Sequence, residues 1–180
     1  YDLKGGEIMS AAQYKQAFEI IAGGLVAAGI YLLIYYILSS IAFWGIFKKA
    51  GESGWKAFIP FYRTYIVFKI AWVPSKFIFW LIPVIVVGVC SGLTNVVTPG
   101  PNFSNPAYLV LSLISLVANI VQLVFLFKVA MRLAKSFGKT SGYGVSIALF
   151  IDLLVCLWPV AVIQLFMLGY GDAEYQGAQE

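Results

Sequence analysis

Residues 48–72 read KKAGESGWKAFIPFYRTYIVFKIAW, a segment at once basic and aromatic. Five of the chain's 12 Lys and Arg lie here (Lys48, Lys49, Lys56, Arg63, Lys69) against one acid, Glu52. Rings recur every few residues as Trp55, Phe58, Phe61, Tyr62, Tyr65, Phe68 and Trp72. This mixture suits the headgroup layer of a bilayer, where ring bodies bury, polar tips stay wet and cations meet anionic lipid. Gly51 and Gly54 mark a turn, and Pro60 fits the first turn of a helix. The expectation is an amphipathic interfacial helix over about 55–72. Lys56 and Arg63, seven apart, would share one face, and Trp55, Ile59, Tyr62 and Ile66 another. Lipid contact is therefore assigned to Trp55, Lys56, Tyr62, Arg63, Tyr65 and Lys69.

Composition agrees with a membrane setting. The 180 residues are 61% apolar and 11% charged, with a mean hydropathy of +0.88, whereas soluble domains run at about 25% charged. The net charge of +4 is modest, and the cations cluster beside apolar runs, which points to lipid and away from nucleic acid. The chain has no His, so the commonest general base and the commonest metal ligand are missing. Cys90 and Cys156 both sit in apolar runs and read as small buried hydrophobes.

Outward from 48–72, the apolar runs divide the chain. Residues 20–47 carry no charge over a length well beyond the ~20 that a crossing helix needs. Further spans are expected at about 75–93, 107–134 and 143–168, giving an all-α protein of four transmembrane helices plus the interfacial helix. The whole is one domain over 20–175, with tails at 1–19 and 176–180. Gly23, Gly24 and Gly29 form a small-residue strip on the first span that suits close packing of another helix. Cations concentrate after the first and third spans, while the loop at 94–106 has none. The positive-inside rule then puts both termini on the outer side. The chain does not open with Met, which fits trimming or a cleaved signal peptide.

Few polar groups fall inside the spans. Asp152 and Lys128 are each twelve residues from Thr140, the centre of the turn between the last two spans, so they are expected at matching depth and as a pair. Asn119, Gln122 and Gln164 are the intramembrane amides, which usually bond across helices. No catalytic set, metal-ligand cluster or phosphate-cradling loop stands out, so no cofactor is expected.

Three motifs, KKAGESGWKAFIPFYRTY, LAKSFGKTSGYG and GYGDAEY, in that order, resemble a family of small bacterial four-span membrane proteins of unknown function, some of whose members carry a signal peptidase I label. The likeness covers about 43–175. It maps onto Ala50, Gly51, Gly54, Trp55 and Pro60, then Ala134, Lys135, Phe137, Gly138 and Gly142, then Gly171, Asp172 and Tyr175. Family members often carry a small polar residue where Arg63 stands and an acid where Arg132 stands. The resemblance implies a bacterial cytoplasmic membrane and the four-span fold, and implies no activity.

Two functional expectations follow. The first is a non-enzymatic accessory or structural subunit that packs against other integral membrane proteins or itself. The alternative is a small oligomeric transporter or channel built on Asp152 and Lys128.

Overall fold

The computed structural model of the chain describes residues 11–97, 105–153 and 157–179, without the side chains of residues 11, 12, 152 and 153. Among the described residues all regular structure is helical, and the tail after Tyr170 is irregular. Helix α1 covers Ala11–Lys49, a 3-10 turn Gly54–Phe58, α2 Pro60–Ala71, α3 Lys76–Val97 and α4 Pro106–Ser136. Helix α5, Ser141–Ala148, runs on as a π-helical turn at Leu149–Leu153, and α6 covers Trp158–Tyr170. Three helices, Gln13–Lys49, α3 and α4, are long and apolar enough to cross a membrane.

The chain divides into two compact units, Tyr1–Leu38 and Ser39–Glu180. In the first, α1 is a bare helix: Phe18, Ile20, Leu25 and Leu32 are all exposed. Apart from the helix's own neighbouring atoms, none of the described residues comes within 4 Å of where a Cβ on Gly23, Gly24 or Gly29 would stand. The second unit has a core of Ile46, Phe47, Ile66, Phe68, Phe137 and Leu168, each almost wholly buried. Rings knit three of its helices together, with Phe68 of α2 lying 6.0 Å from Phe77 and 6.2 Å from Trp80 of α3, and 6.5 Å from Phe125 of α4. Such tilted and edge contacts suit the quadrupoles of the rings. Cys90 is buried as a free thiol, while Cys156 lies outside the described residues.

Two expectations about continuity are corrected. The 55–72 segment is no single helix, because Ile59 is extended (φ −104, ψ 109) between the 3-10 turn and α2. Pro60 has no N–H to close a helical bond across that point, so α2 starts afresh with proline in its first turn. Lys56 and Arg63 therefore do not share a helix.

The second correction concerns residues 143–168. Tyr143 Oη donates to the Gln164 carbonyl at 2.7 Å, and Gln164 Nε2 donates to Ser146 Oγ at 2.9 Å. In one straight helix Tyr143 and Gln164 would stand about 31 Å apart. The chain instead doubles back, α5 beside α6, and does not run once through. Pro159 in the first turn of α6 marks a new helix start.

Doubling back returns the C-terminal tail to the end of the unit from which α5 set out. Gln176 N donates to Ser136 O at 2.7 Å, Gln179 N to Ala71 O at 3.2 Å and Tyr175 Oη to Ile70 O at 3.0 Å. The tail and the loop between α4 and α5 thus lie at one end.

Two helix contacts in this unit are backbone to backbone. A Cβ on Gly144 would strike Ala130 O and Met131 Cα of α4, and one on Gly169 would stand 2.7 Å from Ala42 O and 3.0 Å from Ile46 N of α1. Gly144→Ala is expected to destabilise by about 1–3 kcal/mol through overpacking. Gly88→Ala, where space is open, should be neutral or stabilise by up to ~1 kcal/mol through helix propensity. Thermal unfolding in detergent distinguishes them, and equal midpoints would refute the close α4–α5 approach.

Candidate functional site

The segment that opens the sequence reading and the C-terminal tail meet at one end of the second unit. Glu52 sits just past the end of α1. Its carboxylate accepts from Lys56 at 2.6 Å and from Lys69 at 2.6 Å, joining the 3-10 turn to the last turn of α2. The Lys56 hydrogen bond, followed by that of Lys69, holds the Glu52 carboxyl below the usual glutamate range. Both lysines are raised, chiefly by the same bonds. Aromatic contacts continue the surface: Trp55 lies 6.5 Å from Tyr62, which stacks on Tyr65 at 6.0 Å, and Lys56 Nζ is 5.7 Å from the Tyr62 ring. Trp55 is half exposed, as an interfacial ring would be.

Arg63 behaves differently from its assigned lipid-facing neighbours. Its guanidinium donates to Ser39 Oγ at 3.2 Å and Ser40 Oγ at 3.3 Å and lies 5.3 Å from the Phe43 ring. Both serines are buried. Arg63 also lines a cavity of about 190 Å³ with Thr64, Phe68, Trp80 and Phe125. It is a bridge between α2 and the end of α1. The sequence signal for this was the Ser39–Ser40 pair in an otherwise apolar run.

Lys49 holds the tail. Its ammonium donates to the carbonyls of Leu168 (3.1 Å), Gly171 and Ala173 (2.9 Å). Three donors on one ammonium thereby satisfy carbonyls at and just beyond the end of α6, where no helical partner remains. Arg132 donates to the Gln179 carbonyl, and its guanidinium lies 4.3 Å from the Trp72 ring. Phe137 and Tyr175 rings meet at 5.4 Å, and burial pushes the Tyr175 phenol up.

A cavity of about 280 Å³ opens beside this strap, lined by Trp72, Lys128, Met131, Arg132, Lys135 and Gln179. Lys128, Arg132 and Lys135 are spaced four and three along α4 and share a face. Lys76 stands over the far side of Trp72's neighbourhood, 5.8 Å from that ring and 5.3 Å from Phe79. The three cations stand in the sequence at the end of the third expected span, but nothing there showed that they line one cavity with Trp72.

The predicted intramembrane set does not converge among the described residues. Lys128 belongs to the cationic cavity, while the side chain of Asp152 lies outside the described residues. Asn119 donates to Ser115 O of its own helix at 2.8 Å. With Gln122 it lines an open hollow on α4. Gln164 serves the α5–α6 pairing, and its Oε1 is buried without a hydrogen-bond partner among the described residues. Gly23, Gly24 and Gly29 remain on the bare part of α1. No group of three or more potential metal ligands occurs among the described residues.

Glu52→Gln is expected to lower the thermal unfolding midpoint at neutral pH. Because the folded-state pKa is depressed, the stabilisation is complete above the ordinary glutamate value and is lost as pH falls through the folded one. Wild type and Glu52→Gln should therefore converge in acid. A constant gap down to strongly acid pH would show that the carboxylate charge is not what holds the turn. No family model, curated protein or solved structure matches the chain, so its role has to be argued from this geometry.

Proposed function

We propose that the chain is a non-enzymatic accessory subunit of a membrane protein complex. The observation that carries this is α1: over Gln13–Lys49 it is apolar, and its most hydrophobic window is unburied. Its Gly23, Gly24 and Gly29 have open space around them. Small residues on a membrane helix let a second helix approach closely. The motif resemblance supports a bacterial cytoplasmic membrane, and the joint basic and aromatic character of 48–72 supports a headgroup setting for that end.

In this reading α1, α3 and α4 cross the bilayer and α5–α6 enters and returns as a hairpin, in place of a fourth crossing. The cation-bearing end, with Lys48, Lys49, Lys135 and Lys139, faces the cytoplasm. The C-terminal tail lies with it and the N-terminal tail lies outside. The transporter alternative needs a shared polar path. Asn119 and Gln122 share an open hollow on α4 while Gln164 serves the α5–α6 pairing, and that separation lends the path no support.

Single cysteines in place of Glu174 and Lys139, with the native cysteines removed, are expected to react with a membrane-impermeant maleimide from the same side. Labelling from opposite sides would overturn the hairpin. Purification in mild detergent at native expression should yield a stoichiometric membrane partner. Gly24→Leu with Gly29→Leu should release it while leaving the melting midpoint unchanged. A clean monomer from the unaltered chain would overturn the subunit reading.

A further inference from the structure

One face of α4 carries two chemistries in succession. Toward its middle, Val117, Ala118, Val121 and Phe125 line an apolar cleft against Phe79 and Pro83 of α3, about 610 Å³ in volume. At its C-terminal end the same face carries Lys128, Arg132 and Lys135 around the Trp72 cavity. The steps from Val117 through Val121, Phe125 and Lys128 to Arg132 are four, four, three and four residues, so these side chains stack along a single stripe. Lys76 approaches both regions, reaching the Trp72 ring of one and the Phe79 ring of the other.

The dimensions fit one kind of molecule. Eleven residues of helix separate Val117 from Lys128, about 16 Å of rise. That is close to one leaflet of a hydrocarbon core about 30 Å thick. A molecule filling both regions carries its anion at one end and apolar chain for a leaflet's depth behind it. Lys128 and Lys135 are exposed and have no hydrogen-bond or ion-pair partner among the described residues. Arg132 is held in place by the Gln179 carbonyl and the Trp72 ring. Its guanidinium presents further N–H groups, and guanidinium and ammonium donors are the usual phosphate ligands.

We propose that this face of α4 is a binding site for an anionic phospholipid, with the phosphate among Lys128, Arg132 and Lys135 and an acyl chain in the α3–α4 cleft. The site rests on the membrane reading above and is distinct from the interfacial rings at 55–65. Basic pockets between helices at the cytoplasmic surface are a recurrent solution for anionic headgroups.

The test uses the full chain in nanodiscs of phosphatidylcholine doped with phosphatidylglycerol, with retained lipid counted by native mass spectrometry. Lys128→Gln with Lys135→Gln leaves Arg132 and the tail untouched. It is expected to weaken phosphatidylglycerol retention on the order of 25-fold, about fivefold for each cation. Val117→Trp fills the cleft at an exposed position and should weaken retention with every cation intact. Melting midpoints should be unchanged in both. Inorganic phosphate at matched concentration should fail to displace the lipid. Retention unaltered in the lysine variant overturns the proposal. So does displacement by phosphate combined with indifference to Val117→Trp, which would leave a bare anion site. A chain that never enters the disc overturns the membrane reading itself, a result recognisable before any lipid is counted.

Discussion

The Lys49 ammonium is the contact on which the second unit depends. A helix end leaves carbonyls without partners, and in apolar surroundings that omission is costly. Helix α6 ends at Tyr170, whose hydroxyl donates to Ile41 O of α1. Lys49 reaches across to the Leu168, Gly171 and Ala173 carbonyls. One cation therefore caps a helix that is not its own and fixes the direction in which the tail departs. The tail then runs past Ala71 and Ser136, and Arg132 takes its last described carbonyl. Moving Lys49 one residue along α1 would turn its side chain by about 100° and lose all three acceptors.

Glycine makes that arrangement possible from the other side. Gly169 lies against Ala42 and Ile46, so α6 approaches α1 closely enough for Lys49 to reach its end. Gly144 does the same for α5 on α4. Between these contacts the rings of Phe68, Phe77, Trp80 and Phe125 fill the space around α2. The guanidinium of Arg63, bonded to Ser39 and Ser40, lines a cavity there together with Phe68, Trp80 and Phe125.

Much of this was legible from residue order. Uncharged runs gave the long helices, Pro60 marked a helix start, and Gly51, with φ +77, marked the turn after α1. The doubling back of 141–170 was not legible, because a crossing helix and a buried hairpin are both uniformly apolar. Pro159 was the available sign, and proline is tolerated in membrane helices often enough to be passed over. The site fared unevenly. Charge and ring content located the basic end, but the bonds from Arg63 to Ser39 and Ser40 were not legible, because those serines are remote in sequence. The Trp72 cavity escaped notice because it needs α2, α4 and the tail together.

The hairpin also changes what the tail's charge means. Asp172 and Glu174 invited an outer location, as the counterpart of a basic inner side. The orienting rule counts Lys and Arg, and acids contribute little to it. An acidic tail is therefore free to lie wherever its contacts take it. Here they take it to the cations, along a line set by Lys49 at one end and Arg132 at the other. In the proposed topology an odd number of crossings satisfies the charge rule as well as four do. It has the further merit of leaving Gln176 and Gln179 with the backbone partners they have. The course of the tail, which hydropathy alone leaves open, is set in this chain by where one ammonium finds its three carbonyls.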